Sequence, residues 1–226
     1  IKADALLARV GAMYHDLGKL RRPGLFVENQ YLLGTENSHS RLTPSLSALV
    51  IISHVRDGVE LARRHGLPHT LQEIIEEHHG TSLCAYFYHQ AKERPGAPPA
   101  EEHFRYDGHK PRSKESGIVM LADTVQAAAH SLTDPGPEQL ESLVKSLIAE
   151  RLKDGQLEEC ELTFRELKII TESFIRNLQS LHLHKRVEYP TLMRVIGDRE
   201  TTNSELPAAP AKPGRAHTPR PGRHGG

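Results

Sequence analysis

Apolar residues recur at helical spacing through most of the chain, and that pattern predicts its elements. From about Lys2 to Lys19, residues Leu6, Leu7, Val10, Met13, Tyr14 and Leu17 form one stripe, stopped by Gly18 and Pro23. The polar, Asn- and Gly-containing stretch 21–41 reads as a long ordered loop carrying His39. Thr43-Pro44 then starts a helix, a hydroxyl cap followed by proline in the first turn. That helix runs to about His65 with Leu46, Val50, His54, Gly58 and Leu61 on one face. Pro68 opens the next, whose inner face is Leu71, Ile74, Ile75 and His78. An aromatic segment, Ala85 to Ala91, packs beside them, and the Pro- and Gly-rich stretch 92–113 is a loop. Helix returns from Ser116 to Leu132, and again where Leu140, Leu143, Val144, Leu147 and Ile148 repeat at a 3.6-residue period. Thr163 with Glu166 is a capping box for a last helix with Leu167, Ile170, Phe174, Leu178 and Leu181 inside. No segment alternates with the strand period and none repeats. The fold class is all-α.

From about Glu200 the chain is Pro, Gly, Ala and Arg, which cannot offset its ordering entropy. The expected organisation is one folded domain over 1–198 and a disordered tail over 199–226. With 226 residues, 37% hydrophobic, the chain can bury a sizeable core, and a mean hydropathy of -0.50 describes a soluble protein with polar loops. Basic and acidic residues balance at 29 each, so no global charge calls for a nucleic-acid polymer or an anionic membrane. Cys84 and Cys160 have no paired spacing, which fits a reducing compartment. No run reaches the ~20 apolar residues of a membrane span. Helical periodicity is already running by Leu6 behind a first residue, Ile1, that is not Met. The expectation is therefore a piece of a longer protein.

Fifteen histidines are the outlier. His15-Asp16, in the run Tyr14 to Lys19, offers one nitrogen and one two-oxygen ligand at a helix end, a mixture that Fe, Mn and Zn accept. Most His-Asp pairs are surface accidents. A lone His54 is more simply a core histidine bonded to a carbonyl, and His78-His79 at a helix end could merely answer its dipole. Asp123 is harder to explain blandly, because it follows Ile118 to Ala122, and an unpaired buried carboxylate costs several kcal/mol. One site replaces four separate explanations. The six side chains exceed the needs of one tetrahedral ion, whereas two ions bridged by Asp16 and a hydroxide would use them all, an arrangement suited to attack on a phosphoryl centre.

The order HD, His, HH, Asp resembles the HD phosphohydrolase superfamily in its dinuclear form. The runs YHDLGK, EHHGTSL, YFY, FRYDG, MLADTVQAA, DGQLEEC and LHKRVEYP are more specific. Over about Ile1 to Pro190 they resemble the cytoplasmic catalytic domain of the bacterial seven-transmembrane HD-domain cyclic-di-AMP phosphodiesterases. The resemblance implies an HD-domain helical bundle holding two divalent ions, Mn or Fe, that hydrolyses cyclic di-AMP to linear pApA in second-messenger signalling. It implies His15, Asp16 and Asp123 on the first ion, His54, His78 and His79 on the second, and Asp16 bridging. The family carries one more metal-binding His on a helix upstream of the HD pair, so the first set is expected to be one ligand short here. Lys19, one helical turn from His15, would meet phosphate. His39 matches a family His near the pocket, and Arg105, Tyr106 and Lys114 flank its loop. A membrane would be met only through an upstream segment, and a homodimer is compatible with the reading.

The sister group acting on cyclic di-GMP carries Gly-Tyr-Pro soon after its HH, whereas here HHGTSL leads into YFYHQ. Two alternatives stay open: an HD enzyme acting on mononucleotides or alarmones, many of which use one metal with the H-HD-D set alone, and a catalytically silent HD sensor module. The presence of His54, His78 and His79 weighs against both.

Overall fold

Helix α3 (Pro44–Arg64) is the beam on which the rest is mounted. The Thr43 hydroxyl accepts from the Leu46 amide at 3.3 Å, and Pro44 takes a position where no amide donor is needed. Ala48, Ile52, Val55, Val59 and Ala62 are buried along it, with His54 among them. The structure, a computed structural model, describes residues 1–33 and 38–185. The expected tail over 199–226 and the end of the folded domain before it lie outside the described residues. The other helices are α1 (Ala5–Tyr14), α2 (Val27–Leu33), α4 (His69–Glu77), α5 (Ala85–Lys92), α6 (Lys114–His130), α7 (Pro137–Lys153) and α8 (Phe164–Lys185). Among the described residues there is no strand, only an isolated bridge between Leu83 and Arg105. The all-α expectation holds.

Two packed groups position the chemistry. On one side α3 and α5 enclose Ala48, Ile52, Val55, Phe87 and Phe104. On the other, Met120, Leu121 and Val125 of α6 meet Val144 and Ile148 of α7 and Leu167 and Ile170 of α8. Each such side chain contributes roughly 1.5–3 kcal/mol when fully buried. Helix α4 bridges the two, through Ile75 against Val59 and Ala62 and through Ile74 against Val119. The capping box forms as expected, with Thr163 N donating to Glu166 Oε2 at 3.0 Å and Glu166 N donating to Thr163 Oγ1 at 3.2 Å. Among the described residues no helix is long and apolar enough to cross a membrane.

Three expectations are corrected. Helix α1 ends at Tyr14 rather than near Lys19; a turn carries His15-Asp16 and a 3-10 helix follows over Leu17–Arg21. That break lays Gly18 on α3 so closely that a Cβ there would stand 1.8 Å from the His54 carbonyl oxygen. The supposed inner face of α1 is split, since Leu7 and Val10 pack inward while Leu6 and Met13 are 71% and 74% exposed. Leu181 of α8 is likewise exposed. Finally, stretch 21–41 is not simply loop, for it holds α2 and short 3-10 helices at Pro23–Leu25 and Ser38–Arg41. Among the residues of that stretch whose burial is described, Phe26 and Gln30 are buried, and the Gln30 amide donates to the Gly24 carbonyl at 3.2 Å. Polar residues and glycines around these short turns interrupt any hydrophobic period.

Candidate metal centre

Three histidines arrive from three elements with the same local geometry. His15 follows the last turn of α1, His54 sits mid-way along α3, and His78 caps α4. In each, Nδ1 lies on the carbonyl three residues earlier: Ala12 at 2.8 Å, Ile51 at 2.6 Å and Ile75 at 2.7 Å. A carbonyl only accepts, so Nδ1 carries the proton and Nε2 is turned inward, where it presents a lone pair whenever the ring is neutral. His54 Nε2 and His78 Nε2 then face each other at 3.2 Å, two lone pairs with nothing to donate between them. His15 Nε2 is buried and makes no hydrogen bond. Such a donor set fits a cation, which would take the lone pairs that no proton satisfies.

Asp16 divides its carboxylate between the histidines. Oδ1 is 3.3 Å from His54 Nε2 and 3.9 Å from His78 Nε2, while Oδ2 is 3.2 Å from His15 Nε2 and 2.7 Å from Lys19 Nζ. Asp123, from α6, closes the far side, 3.6 Å from His15 Nε2 and 3.9 Å from His79 Nδ1. It is less enclosed than its apolar neighbours in sequence imply, with 19% of its side chain exposed. Two groups could each hold an ion, His54 with His78 and His79, and His15 with Asp16 and His78; within each, ligand atoms lie within 4.8 Å of one another.

Charge is distributed to match. Burial alone would lower the His15 pKa, but the Asp123 and Asp16 carboxylates outweigh it and raise it to about 10. Burial pushes against ionised Asp16, yet His15, His54 and Lys19 hold it well below the usual carboxylate range. His78, wholly buried and beside His54 and His15, is pushed down to about 3. His79 is lowered too, by burial and then by His78 and His54. Asp16 held ionised beside His78 and His79 held neutral suits metal binding, whereas His15 would have to give up its proton to a cation.

A cavity of about 610 Å³ opens against the centre, of a size that takes a small-molecule ligand. Lys19, His39, His79, Asp123 and Tyr106 line it, with Phe26 and Phe87 as apolar wall. Lys19 bonds Asp16 and Glu28, and its pKa is raised: burial lowers it, but Asp16 and Glu28 outweigh that. His39 Nε2 lies 2.6 Å from the Leu25 carbonyl and its ring 5.2 Å from that of Phe87. Tyr106 stacks on His79 at 4.2 Å.

Arg105 and Lys114 are placed differently from the sequence expectation. Arg105 pairs with Asp154 and Glu101, Lys114 with Glu166 at 2.6 Å, and neither lines the cavity. Opposite charges arriving from α8 and the turn after α7 claim both. Glu28, Tyr86 and Gln90 also line the cavity. Of these Glu28 sits on α2, a helix of seven residues that is too short to show a period, and the other two carry no chemical signal of their own.

A model of the HD-domain family matches residues 1–128. The chain belongs to the HD-domain family. It is 48% identical over 196 residues to the cyclic-di-AMP phosphodiesterase PgpH of Bacillus subtilis, covering 87% of this chain and 27% of that protein. Against the Listeria monocytogenes protein of the same name it is 42% identical over 191 residues, covering 84% and 26%. The crystal structure of the Listeria PgpH HD domain in complex with cyclic di-AMP superposes with a TM-score of 0.74 at 42% identity, over 79% of this chain and 82% of that one. The chain therefore spans about a quarter of the length of these curated relatives, and about four-fifths of the solved HD domain. HD domains are metal-dependent, and the cluster built here from His15, Asp16, His54, His78, His79 and Asp123 could bind metal.

Proposed function

We propose that this HD domain is a metal-dependent phosphodiesterase that hydrolyses cyclic di-AMP to linear pApA, using two divalent ions, Mn or Fe. The observation that carries the reading is the divided carboxylate of Asp16, one oxygen toward His54 and His78 and the other toward His15. Such a carboxylate is suited to bridging two ions, with His54, His78 and His79 on one and His15 and Asp123 on the other. The printed activity of the PgpH relatives supports the substrate.

Ions in such a site supply Lewis-acid polarisation of a phosphoryl oxygen and a more acidic water. The protein's own part is positioning. Carbonyl-anchored Nδ1 atoms fix three imidazoles before substrate arrives, so little order is lost on binding. Lys19 keeps a full positive charge at the cavity wall, where a phosphodiester of the dinucleotide would be met. Phe26, Phe87 and Tyr106 give apolar and aromatic surface for the bases. The same reading puts the domain in the cytoplasm, where its two free cysteines belong, as part of a membrane-anchored protein.

Incubation of the Mn- or Fe-loaded protein with cyclic di-AMP and cyclic di-GMP, followed by product chromatography, tests this. The expected outcome is pApA, formed faster than the guanine product. Faster turnover of the guanine substrate overturns the base assignment. Hydrolysis of mononucleotides or alarmones alone replaces the reading with the other HD chemistry, and no hydrolysis at all leaves a sensor module.

A further inference from the structure

His79 differs from the other three histidines of the centre. Its ring makes no hydrogen bond among the described residues; the nearest charged atom is Asp123 Oδ2 at 3.9 Å. Beside the neighbouring His78 and His54 rings, it has two supports from outside the histidine cluster, the stacked ring of Tyr106 and the backbone turn on which it sits. That turn is tight, with Gly80 N donating to the Glu77 carbonyl at 2.9 Å and Ser82 N to the His79 carbonyl at 3.0 Å.

Both supports are held by one buried amide group. Gln156, fully buried in the turn after α7, accepts from Thr81 N at 2.9 Å and donates to Thr81 Oγ1 at 3.0 Å and Asp154 Oδ2 at 2.9 Å. A Cβ on Gly80 would lie 2.4 Å from Gln156 Oε1, so the amide is seated directly on the turn. Asp154 in turn holds Arg105 by two bonds, at 2.9 and 3.2 Å, and Arg105 donates to the Thr81 carbonyl at 2.9 Å. Arg105 is the neighbour of Tyr106, whose own amide donates to the Ser82 carbonyl at 3.0 Å. The ring under His79 and the backbone of His79 are thus tied to the same side chain. Three runs singled out in the sequence, EHHGTSL, FRYDG and DGQLEEC, meet here.

We infer that Gln156, working with Asp154 and Arg105, is the positioning residue that fixes His79 in the metal centre, in place of the carbonyl anchor that serves His15, His54 and His78. The inference rests on the reading of His79 as a metal ligand. A side chain with both donor and acceptor is needed, because Thr81 N must be accepted while Asp154 and Thr81 Oγ1 must be donated to. Loss of such support weakens metal affinity by ~10–100-fold without removing a ligand.

The test is stepwise titration of the metal-free protein with Mn, read by calorimetry and by elemental analysis after dialysis, for Gln156→Met, His79→Ala and the double variant. Circular dichroism and thermal melting report the fold. Gln156→Met is expected to stay helical and melt cooperatively, to lose ~10–100-fold affinity in one binding step, and to leave the other step unchanged. In the His79→Ala background the same substitution is expected to change nothing further, since it acts through that ring. Unchanged affinity in Gln156→Met, or a loss that persists undiminished without His79, overturns the inference. Thr81→Val, which removes only the hydroxyl partner, is read the same way should Gln156→Met fail to fold. If His79→Ala itself alters neither step, His79 is no ligand, and the metal reading falls before the positioning one.

Discussion

At the scale of single residues, the centre depends most on Asp16, whose two oxygens face different histidines. Asp16→Ala is expected to abolish hydrolysis and to weaken both ions, whereas His79→Ala weakens one. Elemental analysis at saturating Mn distinguishes these outcomes, and one fully retained ion in Asp16→Ala would remove the bridge. On the proposed function, Lys19→Met is expected to lower kcat/KM for the cyclic dinucleotide by about 10–100-fold, because it would delete one charge-assisted phosphate contact worth ~1.5–3 kcal/mol. Its metal content should be unchanged; a loss of ions would make Lys19 a support of Asp16 instead. That these side chains gather at one place was legible in the sequence, because each stands on, or just beyond, an apolar helical stripe where a polar residue asks for an explanation. The ties of Arg105 and Lys114 were not. Their partners, Asp154 and Glu166, lie 49 and 52 residues away, and nothing local announces a long-range ion pair.

At the scale of elements, the decisive feature is the crossing of the 3-10 helix Leu17–Arg21 over α3. There Gly18 touches backbone, not side chain: an added Cβ would meet His54 O at 1.8 Å and Gly58 N at 2.5 Å. Two backbones cannot yield as a methyl group can. Gly18→Ala is therefore expected to cost about 3 kcal/mol, at the upper end of overpacking, measured by urea unfolding. It should also release metal, because it separates His15-Asp16 on one side of the crossing from His54 on the other. Normal stability with full metal content would show that the crossing can open without consequence. The sequence offered Gly18 as a helix stop, and α1 does stop, but four residues earlier, at Tyr14. Periodicity reports which residues face inward; it does not report where two backbones must touch. The capped helices α3 and α8 began at their expected residues because hydroxyl caps act within one turn. Helix α2 went unread because it is only seven residues long, under two turns, too short for a helical period to show.

At the scale of the whole molecule, the buried cluster links folding, protons and metal, and the signs can be worked out. Without metal, His78 has a pKa of about 3 in the folded protein against 6.5 unfolded. Between those values the unfolded chain binds the extra proton, so stability falls as pH drops from 6.5 toward 3. His79, lowered in the same way, steepens that limb. His15 has the opposite sense, about 10 folded against 6.5 unfolded. Between those values the folded protein holds the extra proton, and its contribution is lost as pH rises from 6.5 toward 10. The metal-free protein is therefore expected to be most stable near pH 6.5. Metal binds only the folded state, adding ~2.7 kcal/mol at a hundred times Kd, and it needs His15 neutral. Its gain accordingly grows with pH, offsetting the alkaline loss and moving the optimum upward. At pH 8, loading should release a proton from His15, seen as binding heats that change with the buffer's ionisation enthalpy. Urea midpoints measured from pH 5 to 10, in chelator and in Mn, check the rest. Parallel curves would mean that the ions do not compete with the His15 proton, and that they bind elsewhere than at this cluster.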